Sequence, residues 1–309
     1  MDKTCDILVA GEINPDLILS GQVEPEFNQV EKLIDSARLT IGSSSAIFAC
    51  GAARLGLKVA FIGVCGQDVL GRFMLDEMQK RAINVEQVIV REDGSTGLSL
   101  IFNRGTDRAI LTYPGLIPAL EAEDITDSLL RQARHLHVAS YYLQTSLQLG
   151  LPKLFERAHK FGITTSLDTN WDPQDSWESV REILPMVDVF LPNAAEACAI
   201  TNLSDRNEAA IKLAEKVKVL AVKLGADGAL AAHSHQLIQV PSIKVKVVDT
   251  IGAGDSFDAG FLSGYLKSWK LEKALQLGVA CGSLSTRSAG GTESQPTLEE
   301  ALRYAELSG

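Results

Sequence analysis

A chain of 309 residues with 46% hydrophobic but only 6% aromatic content can bury a substantial core, as one large α/β domain or two small ones. Its net charge of -10 and pI near 5.1 exclude a general nucleic-acid or anionic-membrane partner, which would be repelled over most of the surface. Any anion it holds must be held by local geometry.

The first stretch, MDKTCDILVAGEIN, has too short an apolar run for a signal peptide, and acidic residues interrupt it. No segment approaches the apolar length that spans a bilayer. Cys5, Cys50, Cys65, Cys198 and Cys281 are odd in number, far apart and set in apolar surroundings, which reads as reduced thiols of a cytoplasmic protein rather than a disulfide framework or a cysteine zinc site.

Two segments, Leu17 to Ile41 and Gly97 to Tyr113, carry the alternating stretches LILSGQV, ARLTI, LSLIFN and RAILTY with no helix between the paired strands. They predict a small sheet, a lid over a site, with strands drawn from about 15–41 and 96–114. From Phe61 onwards short β-branched runs alternate with helical patterns. HLHVAS precedes a helix near Leu147 to Lys160, GITTSLDTN one near Ser176 to Leu184, and VDVFLPN leads into AAEACAI; a helix near Asn207 to Val217 then precedes KVLAVKLG. This rhythm predicts an α/β fold: a doubly wound, mostly parallel central sheet with helices on both faces and the site at the strand carboxyl ends. No repeat or linker divides residues 1–309, so one domain is expected. His135 and His137 in HLHVAS are read as facing opposite sides of their strand, as ordinary sheet histidines rather than a zinc pair.

Chemistry concentrates in VVDTIGAGDSFDAGFLSGYL, Val247 to Leu266. Gly252, Ala253 and Gly254 bring bare amides to the start of an apolar helix, whose dipole also favours an anion. Phosphoryl transfer needs donors that cradle the moving group and an acceptor that aligns the attacking hydroxyl. The three residues can supply the cradle and Asp255 the acceptor, with the helix end keeping the carboxylate ionised. The same letters also describe a tight glycine turn followed by an Asp helix cap.

The longer string Asp249-Thr250-Ile251-Gly252-Ala253-Gly254-Asp255-Ser256-Phe257 resembles the D-T-x-G-A-G-D-x-F motif of the ribokinase-like (PfkB) carbohydrate kinase family. The resemblance continues through Gly11-Glu12-Ile13-Asn14-Pro15-Asp16, Ala53-Arg54-Leu55-Gly56, Gly66-Gln67-Asp68-Val69-Leu70-Gly71, Asn193-Ala194-Ala195-Glu196 and Lys223-Leu224-Gly225-Ala226-Asp227-Gly228, in the family's order. It implies Asp255 as base with Gly252, Ala253 and Gly254 as anion hole, and Asn14 and Asp16 as ligands of substrate hydroxyls. It further implies Asn193, Lys223, Gly225, Gly228, Thr250 and Gly254 around ATP, and Asn193 and Glu196 near Mg2+ and its waters. A monovalent cation, K+, would be held by Asp249 and the Ile251 carbonyl, beside a loop in Ala280 to Thr292. Asp168-Thr169-Asn170 resembles the family's D-x-N segment on the rim.

The substrate loop departs from the family's G-G-x-x-x-N. Here Gly42-Ser43-Ser44-Ser45-Ala46-Ile47 puts a hydroxyl at Ser43, where backbone is normally bare, and Ile47 removes an amide, so no particular sugar carries over. Lys223 replaces the common Thr; its ammonium could lie near a phosphate or face solvent. The loop lacks Lys and Arg, which favours a neutral acceptor, although Arg104 and Arg108 lie on the lid. The expected activity is ATP-dependent phosphorylation of a hydroxyl, primary by preference, of a small neutral sugar or polyol. The alternatives are a nucleoside kinase and a non-catalytic ligand-binding relative. Lid strands with unpaired edges would favour a homodimer.

Overall fold

The computed structural model describes residues 3–104, 107–233 and 236–306. Its first part runs β1 (Cys5–Ala10), β2 (Pro15–Ser20), β3 (Ser36–Ile41), α1 (Ser44–Arg54), β4 (Val59–Ile62), β5 (Val64–Gly66), α2 (Val69–Lys80), β6 (Ile89–Arg91), β7 (Leu98–Arg104) and β8 (Asp107–Tyr113). Then follow α3 (Asp127–Leu130), β9 (Ala133–Val138), α4 (Thr145–Lys160), β10 (Thr164–Leu167), α5 (Glu178–Ile183), β11 (Val189–Phe190), α6 (Ala194–Thr201), α7 (Arg206–Ala214) and β12 (Val219–Lys223). The remainder is β13 (Ala229–His233), β14 (Gln236–Val240), α8 (Ala253–Leu266), α9 (Leu271–Ser285) and α10 (Leu298–Glu306).

The central sheet has the order β14-β13-β12-β11-β10-β9-β1-β4. Pairing is parallel from β4 to β12, and the β12–β13 and β13–β14 pairs are antiparallel, so β13 alone runs against the other strands. Because side chains alternate along a strand, Ile7 and Val9 of β1 enter one core with α1, α2, α8, α9 and α10, while Leu8 and Ala10 enter the other with α3 to α7. Burial on both faces is why these strands read as unbroken apolar runs.

A second sheet, ordered β3-β2-β7-β8, is the lid, built from the four stretches read as strands. Its inner face sends Ile18 and Ile101 into the main core. Across it, Leu39, Leu17, Leu100 and Leu111 lie in one register row on the opposite face, with Leu39 and Leu111 exposed.

One sequence reading is corrected. Residues two apart in a strand project to the same side, and His135 and His137 both reach the Ser166 hydroxyl, at 2.7 Å each. The other His135 nitrogen meets Thr164 Oγ1 at 2.7 Å. Burial pushes the His135 imidazole down to about 3, so it is a neutral link between β9 and β10. Among the cysteines, Cys198 is only half-buried; the other four are buried and all five are free thiols. No described helix is long and apolar enough to cross a membrane.

Candidate active site

The carboxyl ends of the parallel strands converge with the start of α8. Gly252 caps that helix at φ 69°, a left-handed conformation suited to glycine. A Cβ there would lie 2.8 Å from the Gly291 Cα and from the Ile47 Cγ2. The turn is therefore closed by α1 on one side and the 290–291 loop on the other. The Ala253 amide makes a long bond, 3.3 Å, to the Thr250 carbonyl. Among the described residues the Gly254 and Asp255 amides make no backbone hydrogen bond, so the helix mouth retains donors.

Asp255 is not the helix cap; Gly252 takes that position and Asp255 lies in the first turn. Its side chain is buried among Ser44, Asp168, Lys223 and Glu12. The helix end was expected to keep it ionised, whereas its surroundings act in the opposite direction. Burial first, then the Asp168 charge, push its carboxyl well above the usual range, and Lys223 only partly opposes them. A carboxylate raised in this way is a better-matched proton acceptor than an ordinary one.

Asn14 and Asp16 stand where β1 passes into the lid. The Asn14 amide donates to Ser99 Oγ of β7 at 3.2 Å. Asp16 is buried, and burial followed by the Glu12 charge raises its carboxyl to about 7, with Arg108 opposing. Gly42 is required beneath it, since a Cβ there would come within 2.1 Å of Asp16 Oδ1.

The two departures in the substrate loop acquire structural explanations. Ser43 caps α1 at φ 68°; its hydroxyl donates to the Glu12 carbonyl at 2.7 Å and accepts from the Ala46 amide at 3.0 Å. The hydroxyl thus serves the loop itself. Ile47 is 3% exposed and packs on Gly252 and Gly291, supporting the anion turn rather than lining a substrate surface.

A pocket of about 480 Å³ adjoins the helix mouth, lined by Lys223, Gly225, Gly228, Thr250, Ala253 and Gly254, with Val245, Val247, Phe257 and Val279 as apolar walls. An apolar slot ending in helix amides suits a base at one end and phosphates at the other. Asn193 and Glu196 form a capping box at α6: Glu196 Oε2 accepts the Asn193 amide at 2.9 Å, and Asn193 Oδ1 accepts the Glu196 amide at 3.0 Å. Burial and then Asp168 raise the Glu196 carboxyl to about 7. Asp249 accepts the Ile251 amide on one oxygen and the Gly290 amide on the other, both at 3.0 Å.

Further groups gather in the site, and two of them, Glu12 and Asp258, carry no role in the sequence analysis. Glu12 is buried and accepts from Ser45 Oγ at 2.5 Å and Ser140 Oγ at 2.8 Å. Asn170 donates to Ser44 Oγ and Ser140 Oγ, at 2.8 Å each. Lys223 is neither solvent-facing nor alone: its ammonium pairs with Asp168 Oδ2 at 3.1 Å and Asp258 Oδ2 at 3.0 Å. Asp258 follows Asp255 by three positions, a helical spacing that puts both on one face and offered a signal for it. Arg108 of the lid approaches Asp249 Oδ1 at 3.7 Å and Thr250 Oγ1 at 3.3 Å; pairing across 142 positions has no local signature.

A doubly wound sheet with a lid, an anion-binding helix mouth and a buried carboxylate beside it defines a phosphotransferase of the ribokinase-like class. The chain belongs to the pfkB family of carbohydrate kinases, whose profile matches residues 6–298. It is 30% identical over 287 residues to the 5-dehydro-2-deoxygluconokinase of Geobacillus thermodenitrificans, covering 85% of this chain and 83% of that protein. It is 31% identical over 299 residues to the ATP-dependent ribose-1-phosphate kinase of Halopiger xanaduensis, covering 96% and 97%. The nucleoside kinase of Methanocaldococcus jannaschii, an archaeal member of the ribokinase family, superposes with a TM-score of 0.82 at 25% identity over 99% of this chain and 100% of that one.

Proposed function

We propose that this carbohydrate kinase transfers the terminal phosphoryl group of ATP to a primary hydroxyl of a small neutral sugar or polyol, residues 1–309 acting as one catalytic domain with its lid. The observation that carries the reading is a buried Asp255, its carboxyl raised above the usual range, directly beside unpaired helix amides at the end of a nucleotide-sized slot. Asn14 and Asp16 hold acceptor hydroxyls; Asp255 aligns the reacting hydroxyl and takes its proton. The Gly252, Ala253 and Gly254 turn receives the phosphoryl oxygens. Thr250, Gly225 and Gly228 flank the nucleotide.

The donor set fits a magnesium ion held chiefly by phosphate and water. Among the described residues no group of three or more His, Cys, Asp or Glu gathers to hold a metal, and Glu196 already spends an oxygen on its capping box. Asn193 and Glu196 would orient its water shell, and the ion would neutralise phosphate charge. Asp249 and the Ile251 carbonyl would hold a K+ ion, tested by replacing K+ with tetramethylammonium. Free, mostly buried thiols support a cytoplasmic setting.

Incubation with ATP, magnesium and a panel of neutral sugars, polyols and nucleosides should release ADP with a sugar or polyol; a preference for nucleosides would move the chain to that branch of the family. On the acceptor found, Asp255→Asn should lower kcat about 10²- to 10⁴-fold with KM little changed. Near-normal turnover by this variant would remove Asp255 from the mechanism, and silence of the wild type across the whole panel would favour a non-catalytic binder.

A further inference from the structure

Lys223 ends β12 in the heart of the site, where the family commonly has threonine. Its side chain is 12% exposed, yet it forms part of the pocket wall. A Cβ built on Gly254 would lie 3.6 Å from its Nζ, so the ammonium sits beside the amides that open α8. Asp258 Oδ2 accepts one of its three N–H groups at 3.0 Å, and Asp168 Oδ2 forms an ion pair with the ammonium at 3.1 Å. Among the described residues the ammonium donates no other hydrogen bond.

The two carboxylates fix the ammonium rather than consume it. Asp168 and Asp258 are each about 1–2% exposed, and in each the second oxygen lacks a hydrogen-bond partner. Four carboxyl groups, from Asp168, Asp258, Glu196 and Asp255, act on this one cation. Without it, an incoming phosphate would meet uncompensated negative charge. With it, a phosphoryl oxygen at the helix mouth is within reach of a charged donor that needs no rearrangement.

We propose that the Lys223 ammonium is a catalytic group that donates a hydrogen bond to the phosphoryl group in transit, next to the Ala253 and Gly254 amides, with Asp168 and Asp258 as its positioning residues. No covalent bond to Lys223 forms or breaks. The proposal rests on the phosphotransferase reading and adds a point charge to an anion hole otherwise made of backbone dipoles.

The test compares Lys223→Met, Lys223→Arg and the double variant Lys223→Met/Asp258→Asn, each in the full chain. Lys223→Met leaves two buried carboxylates unpaired and can fail to fold; the double variant removes one of those charges. The double variant should recover the thermal midpoint toward wild type while kcat stays about 100-fold or more below it, with acceptor KM within about threefold. Lys223→Arg should recover part of kcat.

Calorimetric titration with AMP-PNP and with AMP gives a readout independent of turnover. The double variant should bind AMP-PNP about tenfold more weakly and AMP unchanged. A folded double variant with wild-type kcat and wild-type AMP-PNP affinity would overturn the proposal and leave Lys223 a structural counter-ion. A wild type that phosphorylates nothing while its AMP-PNP affinity depends on Lys223 would instead overturn the acceptor assignment and keep Lys223 on the phosphate.

Discussion

At the scale of single residues the site is governed by buried carboxyl groups whose protonation is held away from its solution value. Asp16 is raised to about 7 by burial and by Glu12, against the opposing charge of Arg108 and with Asp249 adding to the rise. Unfolded, it titrates near 3.9, so between about pH 4 and 7 the folded chain binds the extra proton. Stability must fall as pH rises through that window, with Asp16's contribution fully lost above it. The thermal midpoint of wild type should therefore drop from about pH 5 to 8 more than that of Asp16→Asn, which lacks the titration. Parallel curves would show that Asp16 is ionised throughout. Asp255 gives the corresponding kinetic signature: its raised carboxyl places the acid limb of the kcat profile well above the ordinary carboxylate range.

At the scale of elements, the decisive piece is the junction between β3 and α1. Ser43 occupies φ 68° and pays for that strain by capping α1 and tying it to the Glu12 carbonyl. Ser43→Ala keeps the strain and loses both bonds, so chemical denaturation should show a loss of about 1–2 kcal/mol at unchanged m-value. Ser43→Gly relieves the strain while losing the same bonds and should stay within about 1 kcal/mol of wild type. A Ser43→Ala protein as stable as wild type would dismiss the hydroxyl as structural. The sequence showed Ser43 as an oddity in a glycine loop; it could not show that the hydroxyl turns back on its own chain, since the Glu12 partner lies 31 positions away. Ile47 is a parallel case, an apparent specificity change that proves to be packing against Gly252 and Gly291.

At the scale of the whole molecule, the lid presents its Leu39, Leu17, Leu100 and Leu111 row away from the core. Leu111 is 61% exposed and Tyr113 55%, an apolar sheet face of the kind a second copy would cover. Light scattering at micromolar concentration should report a homodimer, and Leu111→Glu should shift it to monomer; a monomeric wild type would refute lid-mediated dimerisation. The inner face of the same sheet carries Asp16 and Arg108, so covering the outer face would also brace the strands that hold them.

The sequence by itself determined the class of molecule, because alternation of short buried strands with helices, and bare glycine amides at a helix start, are local patterns written in adjacent residues. It likewise exposed Asp255, whose position beside Gly252, Ala253 and Gly254 is a matter of spacing. Tertiary structure alone decided the electrostatics: which carboxyl groups are buried together, that Lys223 stands between Asp168 and Asp258, and that Arg108 crosses to Asp249. Charge interaction depends on distance in space and on the exclusion of water, and neither follows from the order of residues in the chain.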